Sequence, residues 1–286
     1  MEFVSKALSV LFKRVWLCFF IFLLLSLSNA YANGVSKPID HSLFNDFLKI
    51  VVNDKGDVNY VKARESRALL ENYLSYFESR EFDLHAYDDE WVREEKLATL
   101  LNLYHAAVIR LVLDYYPVHS IQDIPGGWDL TIIHLGAKRM LSLNDLRVNE
   151  IMGTFHDEKI HTVLACGAKS CPPFPREVFT GPKVEGQLYE SAVAFVNDQK
   201  FNEISAKSKT VAISKIFKWY GKDFQLDFGF AEENKFSSSE NAVLTFFSYY
   251  LQDPEKIEFL ETRRYKIKYQ PFDWSLREWG NSSPAA

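Results

Sequence analysis

Two cysteines and a histidine within residues 160–173 are the residues of this chain best suited to chemistry. They are His161, Cys166 and Cys171. A thiol becomes a nucleophile when a neighbouring histidine lowers its pKa. Cys171 as nucleophile with His161 as base would therefore give a thiol-dependent hydrolase or transferase. If both sulfurs react, the same residues would give a disulfide oxidoreductase.

The same two cysteines are five positions apart, a spacing that also suits a disulfide between Cys166 and Cys171. Oxidising compartments favour such a bond in exported proteins. The chain-entropy model assigns it about 2 kcal/mol, and a permanent bond leaves no nucleophilic sulfur. A metal site is disfavoured because the spacing lacks the short cysteine pair of structural zinc sites and marks no fourth ligand. We expect no metal and no cofactor.

The backbone before the cysteines determines which of them can reach the histidine. Residues 160–165 are predicted to form a strand that ends at a loop rich in Gly and Pro. On a straight strand, His161 and Cys166 point to opposite faces and are ~16 Å apart. Cys171 follows Gly167 and can fold back, so it is the better candidate nucleophile.

The N-terminus has the pattern of a removable export signal over residues 1–32. A basic start with Lys13 and Arg14 precedes an apolar run, and Ala30-Tyr31-Ala32 is a small-residue cleavage site. The apolar run is shorter than the ~20 residues that span a bilayer. We therefore expect a periplasmic or secreted protein that begins near Asn33 and has no membrane span after cleavage.

Charge and length restrict the function classes. The formal net charge is -5, and removal of residues 1–32 would make it -7. An acidic protein of this kind is a poor candidate for nucleic-acid binding. Residues 33–286 contain no linker or repeat and are predicted to form a single globular domain. The partner is expected to be a small molecule, a peptide or another envelope component.

Hydrophobic periodicity predicts an α+β fold with several helices around a small, mostly antiparallel β-sheet. A helix capped by Ser42 is predicted first, and a long central helix is predicted from Asp88 and Asp89 to Tyr116. Ser142 and Asp145 are predicted to start a short helix. The other predicted helices cover residues 61–78, 182–197, 215–220 and 240–251, and the predicted strands cover residues 131–134, 138–141, 210–213 and 265–269.

Polar residues on the central helix and in the cysteine loop are candidate binding residues. They are Asn102, Tyr104 and His105 on the helix, and Lys169 and Ser170 in the loop. At 100° per residue, Asn102 and Tyr104 lie on different faces, so one can be buried while the other faces a cleft. We expect the loop to lie against this helix.

Several ordered motifs make the chain resemble the family known as domain of unknown function 547. Asn102-Leu103-Tyr104-His105-Ala106 is similar to the family's Asn-x-Tyr-Asn-Ala helix motif, and residues 160–173 to its strand and Ser-Cys-Pro-Pro loop. Residues 116–118, 214–220 and 272–276 resemble further blocks. This sequence has His105 and Arg277 where the family commonly has Asn, and Asn59 where it has Asp.

The resemblance implies a fold but no activity. We therefore expect an exported binding or accessory protein with a cleft at residues 166–173. The alternative is a thiol-dependent enzyme that uses Cys171 with His161, or both cysteines.

Overall fold

The computed structural model describes residues 39–79, 93–136, 139–229 and 235–280. The described residues from Asp40 onward form one compact unit. The predicted export signal lies outside the described residues. So do Asp88, Asp89 and residue 138, at which a helix and a strand were expected to begin.

The fold class is α+β, as predicted. Helices predominate, and the strands form two small sheets. The helices are α1 (Ser42–Val51), α2 (Tyr60–Glu65), α3 (Arg67–Glu78), α4 (Arg93–Tyr115), α5 (Leu143–Asp145), α6 (Gly153–Phe155), α7 (Val184–Asn197), α8 (Ile216–Trp219), α9 (Gln225–Phe228), α10 (Ser238–Tyr250) and α11 (Pro254–Glu261). Between α5 and α6 the chain forms a π-helix at Leu146–Met152, and 3-10 turns occur at Ile121–Asp123, Glu158–Thr162 and Gly181–Lys183.

The two sheets are separate. Strands β1 (Thr131–Leu135) and β2 (Arg139–Ser142) form an antiparallel hairpin. In the second sheet, β4 (Thr210–Ile213) pairs antiparallel with β3 (Glu203–Ser205) and parallel with β5 (Lys266–Tyr269).

Helix α4 forms the centre of the core, because nearly every residue from Leu97 to Leu113 is buried. A helix that is apolar all round is a core helix in a globular protein. Among the described residues, α4 alone has the length and hydropathy of a membrane span, and 89% of its most apolar window is buried. Burial of this extent is what a core helix requires.

A second core contains the aromatic residues of α7, α8 and α10. Phe217 contacts Phe247 with ring centroids 4.8 Å apart, and Phe224 contacts Phe246 at 4.9 Å. Buried aromatic pairs contribute ~0.5–1.5 kcal/mol beyond their area term. This packing fixes the turn between α8 and α9, which carries Tyr220 and Asp223.

One predicted helix start and one predicted helix differ from the structure. Ser42 is the first residue of α1 and does not cap it, because His41 occupies the N-cap position; the Ser42 backbone N–H donates to Asp40 Oδ1 at 2.9 Å. The helix predicted at residues 61–78 is divided at Ser66 into α2 and α3. The predicted start at Ser142 is confirmed, because Ser142 and Asp145 form a capping box.

The strand predicted at residues 160–165 is wrong, since Glu158–Thr162 form a 3-10 turn. The Asp157 side chain caps this turn by accepting a hydrogen bond from Lys159 N at 2.9 Å. The Thr162 hydroxyl donates to Lys159 O at 2.7 Å. These side-chain bonds favour a turn, and a short apolar run does not by its periodicity distinguish a buried strand from a helical turn.

Candidate functional site

A cavity of about 380 Å³ lies beside the cysteine loop. Part of its lining is aromatic: Trp219 contacts Phe272 with ring centroids 4.8 Å apart, and Phe272 contacts Trp274 at 4.4 Å. The polar part of the lining includes Tyr104 and residues described below. Cavities with apolar walls and a few directed polar groups are typical of small-molecule sites.

Cys166 and Cys171 both line this cavity and are nearly buried. Their Cα atoms are 5.6 Å apart, within the ~4.4–6.8 Å that bridging requires. The chain reverses between them because Gly167 has φ +85°, a conformation that favours glycine. Trp128 and Trp274 pack against the pair.

The loop lies against α4, as expected. A Cβ atom built on Gly167 would be 3.6 Å from Val108 Cγ1 and 3.8 Å from Val112 Cγ2. His105 on the same helix is fully buried, and its Nε2 lies 2.9 Å from Val163 O. Burial lowers the pKa of His105 to about 4, so the ring is neutral and donates this hydrogen bond.

Asn102 has a structural environment. Its Oδ1 accepts from Phe179 N at 2.9 Å, and its Nδ2 donates to Phe179 O at 2.8 Å. The side chain is fully buried and does not line the cavity. Of the three polar residues proposed on the helix, Tyr104 alone lines it.

Lys169 and Ser170 also lie outside the cavity lining and attach the loop to residues 273–277. The backbone N–H of Lys169 donates to Ser275 O at 2.9 Å. The Ser170 hydroxyl accepts from Asp273 N at 2.8 Å. This pairing places Trp274 beside the cysteines.

Arg277 joins three segments of the chain. It is 3% exposed; Nη1 donates to Asp57 Oδ1 at 3.1 Å and to Lys55 O at 3.4 Å. Nη2 donates to Lys169 O at 2.6 Å and to Cys171 O at 3.0 Å. The guanidinium therefore holds the loop by its backbone carbonyls.

His161 lies in the cavity lining between two aromatic rings. Its ring centroid is 4.6 Å from that of Tyr220 and 5.6 Å from that of Phe224, and both contacts are stacked. Nε2 is 2.9 Å from Asp223 Oδ2. Burial lowers the pKa of His161, while the hydrogen bond to Asp223 opposes this effect.

The orientation of His161 follows from this bond. A neutral imidazole bonded to a carboxylate through Nε2 has its proton there, so Nδ1 is an acceptor. Nδ1 has no hydrogen-bond partner in the described part of the chain. A 3-10 turn replaces the predicted straight strand, and His161 lines the same cavity as both cysteines.

Arg147 is the cation in the cavity lining. Its Nη1 donates to the Tyr220 hydroxyl at 2.9 Å, and its Nη2 donates to Asn144 Oδ1 at 3.2 Å. Asn144 Nδ2 in turn donates to Asp129 Oδ1 at 2.6 Å. Burial raises the pKa of Tyr104, so its hydroxyl is neutral in the same cavity.

Sequence reasoning did not identify Arg147 or Asp223 as site residues. Asp223 is 62 positions from His161, and nothing in its local sequence marks it. Trp219, Phe272 and Trp274 belong to the blocks at residues 214–220 and 272–276, but the spacing of those blocks does not predict that the three rings form one wall of a cavity. The concentration of aromatic residues in the two short segments at residues 214–220 and 272–276 is the sequence feature that could have indicated this wall.

Comparison with known proteins agrees with part of the resemblance stated above. Residues 89–196 match the family described as "Protein of unknown function, DUF547". The chain resembles this family over α4, the β1–β2 hairpin and the cysteine loop; residues 214–220 and 272–276 lie outside the match. No curated protein and no solved structure matches the chain.

Proposed function

We propose that this protein is an exported binding protein whose cavity takes a small, ring-bearing molecule. The observation that carries the proposal is the composition of the cavity lining. Aromatic rings form one part of it, and the polar part contains Arg147, Tyr104 and His161. Rings stack on aromatic surfaces, and directed polar groups orient them.

In this proposal the cysteines hold the loop at the edge of the cavity and take no part in a reaction. We propose that Cys166 and Cys171 form a disulfide, because their Cα separation of 5.6 Å fits one and export would supply oxidising conditions. N-terminal sequencing of exported material tests the proposed cleavage near Asn33. Retention of residues 1–32 on a membrane-bound product would contradict export as a free protein.

Fluorine NMR of the exported protein labelled with 5-fluorotryptophan tests ligand binding. Ring-bearing fragments are expected to shift the signals of Trp219 and Trp274, which line the cavity. Trp279 is the internal control, because its Nε1 donates to Val51 O and it does not line the cavity. Fragments that leave the cavity signals unchanged, or shift Trp279 equally, would contradict the proposal.

A thiol-dependent enzyme is the second candidate, since Cys171 and His161 line the same cavity. This function requires the cysteines to be reduced, with His161 accepting the proton of Cys171. In the described part of the chain, no hydrogen bond joins these two side chains. A thiol count on the exported protein separates the candidates: the binding protein is expected to have no titratable thiol at residues 166 and 171, and the enzyme two.

A further inference from the structure

The polar part of the cavity contains a cation without a counter-ion. Arg147 is half-buried, and its two hydrogen bonds go to the neutral acceptors Tyr220 and Asn144. In the described part of the chain, no carboxylate lies within ion-pair distance of its guanidinium. Two other arginines, one half-buried and one buried, do have such partners: Arg110 has Glu71 and Glu78, and Arg277 has Asp57.

This environment favours an anion in the cavity. A guanidinium has five N–H donors, and only two of those of Arg147 are used by the protein. A partly desolvated cation gains most from a charge-assisted, two-pronged bond to a planar anion. A carboxylate on the ligand is planar and negatively charged, and it would therefore supply the partner that Arg147 does not have among the described residues.

Two further groups in the lining are hydrogen-bond acceptors. They are Nδ1 of His161, whose ring proton is used by Asp223, and the exposed carboxylate of Asp129. Acceptors of this kind repel an anion that brings no donors of its own. The ligand that satisfies them together with Arg147 therefore has hydroxyl groups as well as a carboxylate.

The aromatic wall determines the shape of the ligand body. Trp219 and Trp274 have ring centroids 5.9 Å apart and nearly parallel rings, with an interplanar angle of 29°. A flat or chair-shaped ring can cover such a surface with its apolar face while its polar edge reaches the other groups.

We propose that the cavity binds an acidic sugar, with its carboxylate on Arg147, hydroxyl groups on His161 and Asp129, and its ring against Trp219 and Trp274. This inference rests on the proposed binding function and adds the chemical class of the ligand. In this proposal Arg147 binds the carboxylate of the ligand, and Nδ1 of His161 accepts a hydrogen bond from one of its hydroxyl groups.

Calorimetric titration of the exported protein with four probes tests the proposal. The probes are D-glucuronate, the neutral D-glucuronamide, D-glucose and benzoate. D-glucuronate is expected to bind about tenfold more tightly than D-glucuronamide, a difference of about 1.4 kcal/mol for the charge-assisted bond. Benzoate is expected to bind more weakly than D-glucuronate, because it lacks hydroxyl donors for His161 and Asp129.

Variants assign the effect to Arg147. Arg147→Gln is expected to abolish the preference for the acid over the amide, and Arg147→Lys to retain part of it because the charge remains. Lys218→Gln is the matched control: Lys218 is exposed, does not line the cavity, and loses the same charge. Thermal melts establish that each variant is folded before it is titrated.

The outcomes separate this inference from the binding function itself. Equal affinity for D-glucuronate and D-glucuronamide would overturn the acidic ligand and leave a neutral ring ligand in place. Benzoate binding as tightly as D-glucuronate would overturn the sugar. Absence of saturable D-glucuronate binding would also overturn the inference, while the fluorine NMR screen decides separately whether the cavity binds rings.

Discussion

The cysteine loop is in contact with two polar regions, which we call the anchor and the cavity. The anchor consists of His105, Arg277 and Asp57, and the cavity is the site lined by Arg147 and His161. Each region has one arginine and one histidine. In the anchor, the arginine donates to backbone carbonyls of residues 55, 169 and 171, and the histidine donates to Val163 O.

In the cavity, the arginine and the histidine have different hydrogen-bond and ion-pair partners. Arg147 has no carboxylate partner in the described residues, and Nδ1 of His161 has no hydrogen-bond partner there. Donors and acceptors that face a cavity and are not used by the protein are available to a ligand, and a few directed polar groups are typical of small-molecule sites. Residue type alone therefore does not separate a structural role from a role in ligand binding. What separates them is where the hydrogen bonds go.

Removal of Arg277 is expected to have the largest effect on stability. Arg277→Met removes the guanidinium that donates to Asp57 Oδ1 and to the carbonyls of residues 169 and 171. Loss of one member of a buried ion pair costs about 3–5 kcal/mol in the free energy of unfolding. Arg147→Met is the matched control and is expected to change it by less than about 1 kcal/mol. Urea denaturation measures both; equal losses would mean that the anchor and the cavity do not differ.

His105 is expected to make stability depend on pH. Burial lowers its pKa to about 4, below the ~6.5 of an unfolded chain. The unfolded state then binds more protons below pH ~6.5, so about 2–3 kcal/mol of stability is lost as the pH falls from ~6.5 to ~4.

His105→Asn, which introduces the residue common in the resembling family, should reduce this loss in urea titrations between these pH values. Burial also lowers the pKa of His41 to about 4, so His41 should still contribute to the dependence of the free energy of unfolding on pH in this variant. Val108→Ala is the control: it removes packing beside the loop and no titrating group, so it should lower stability equally at every pH. A slope unchanged in His105→Asn would contradict a neutral, buried His105.

The cysteine pair is expected to have the smallest effect of the three. If Cys166 and Cys171 are bridged, Cys166→Ser and Cys171→Ser each remove the same cross-link and each cost about 2 kcal/mol. The double variant should then cost no more than either single variant. Thermal melts with thiol labelling measure this. A double variant that loses the sum of the two single losses would mean two independent thiols.

The local parts of the fold were predictable from sequence. The capping box at Ser142 and Asp145 follows from their spacing, and α4 follows from its long apolar pattern and from Pro117, which prevents its extension. The segment at residues 160–165 was not predictable in the same way. Its residues are all buried, so their pattern has neither a two-residue nor a 3.6-residue period from which to choose.

By itself, the sequence determined the α+β class, the central helix and the resemblance to the family. These depend on periodicity and on motifs of neighbouring residues, which short-range physics relates directly to structure. Only the tertiary structure decided that His161 bonds to Asp223, that Arg147 and His161 line one cavity, and that Arg277 holds the loop. Those contacts join residues tens to hundreds of positions apart. They depend on how whole helices pack against one another, and local sequence patterns do not predict that packing.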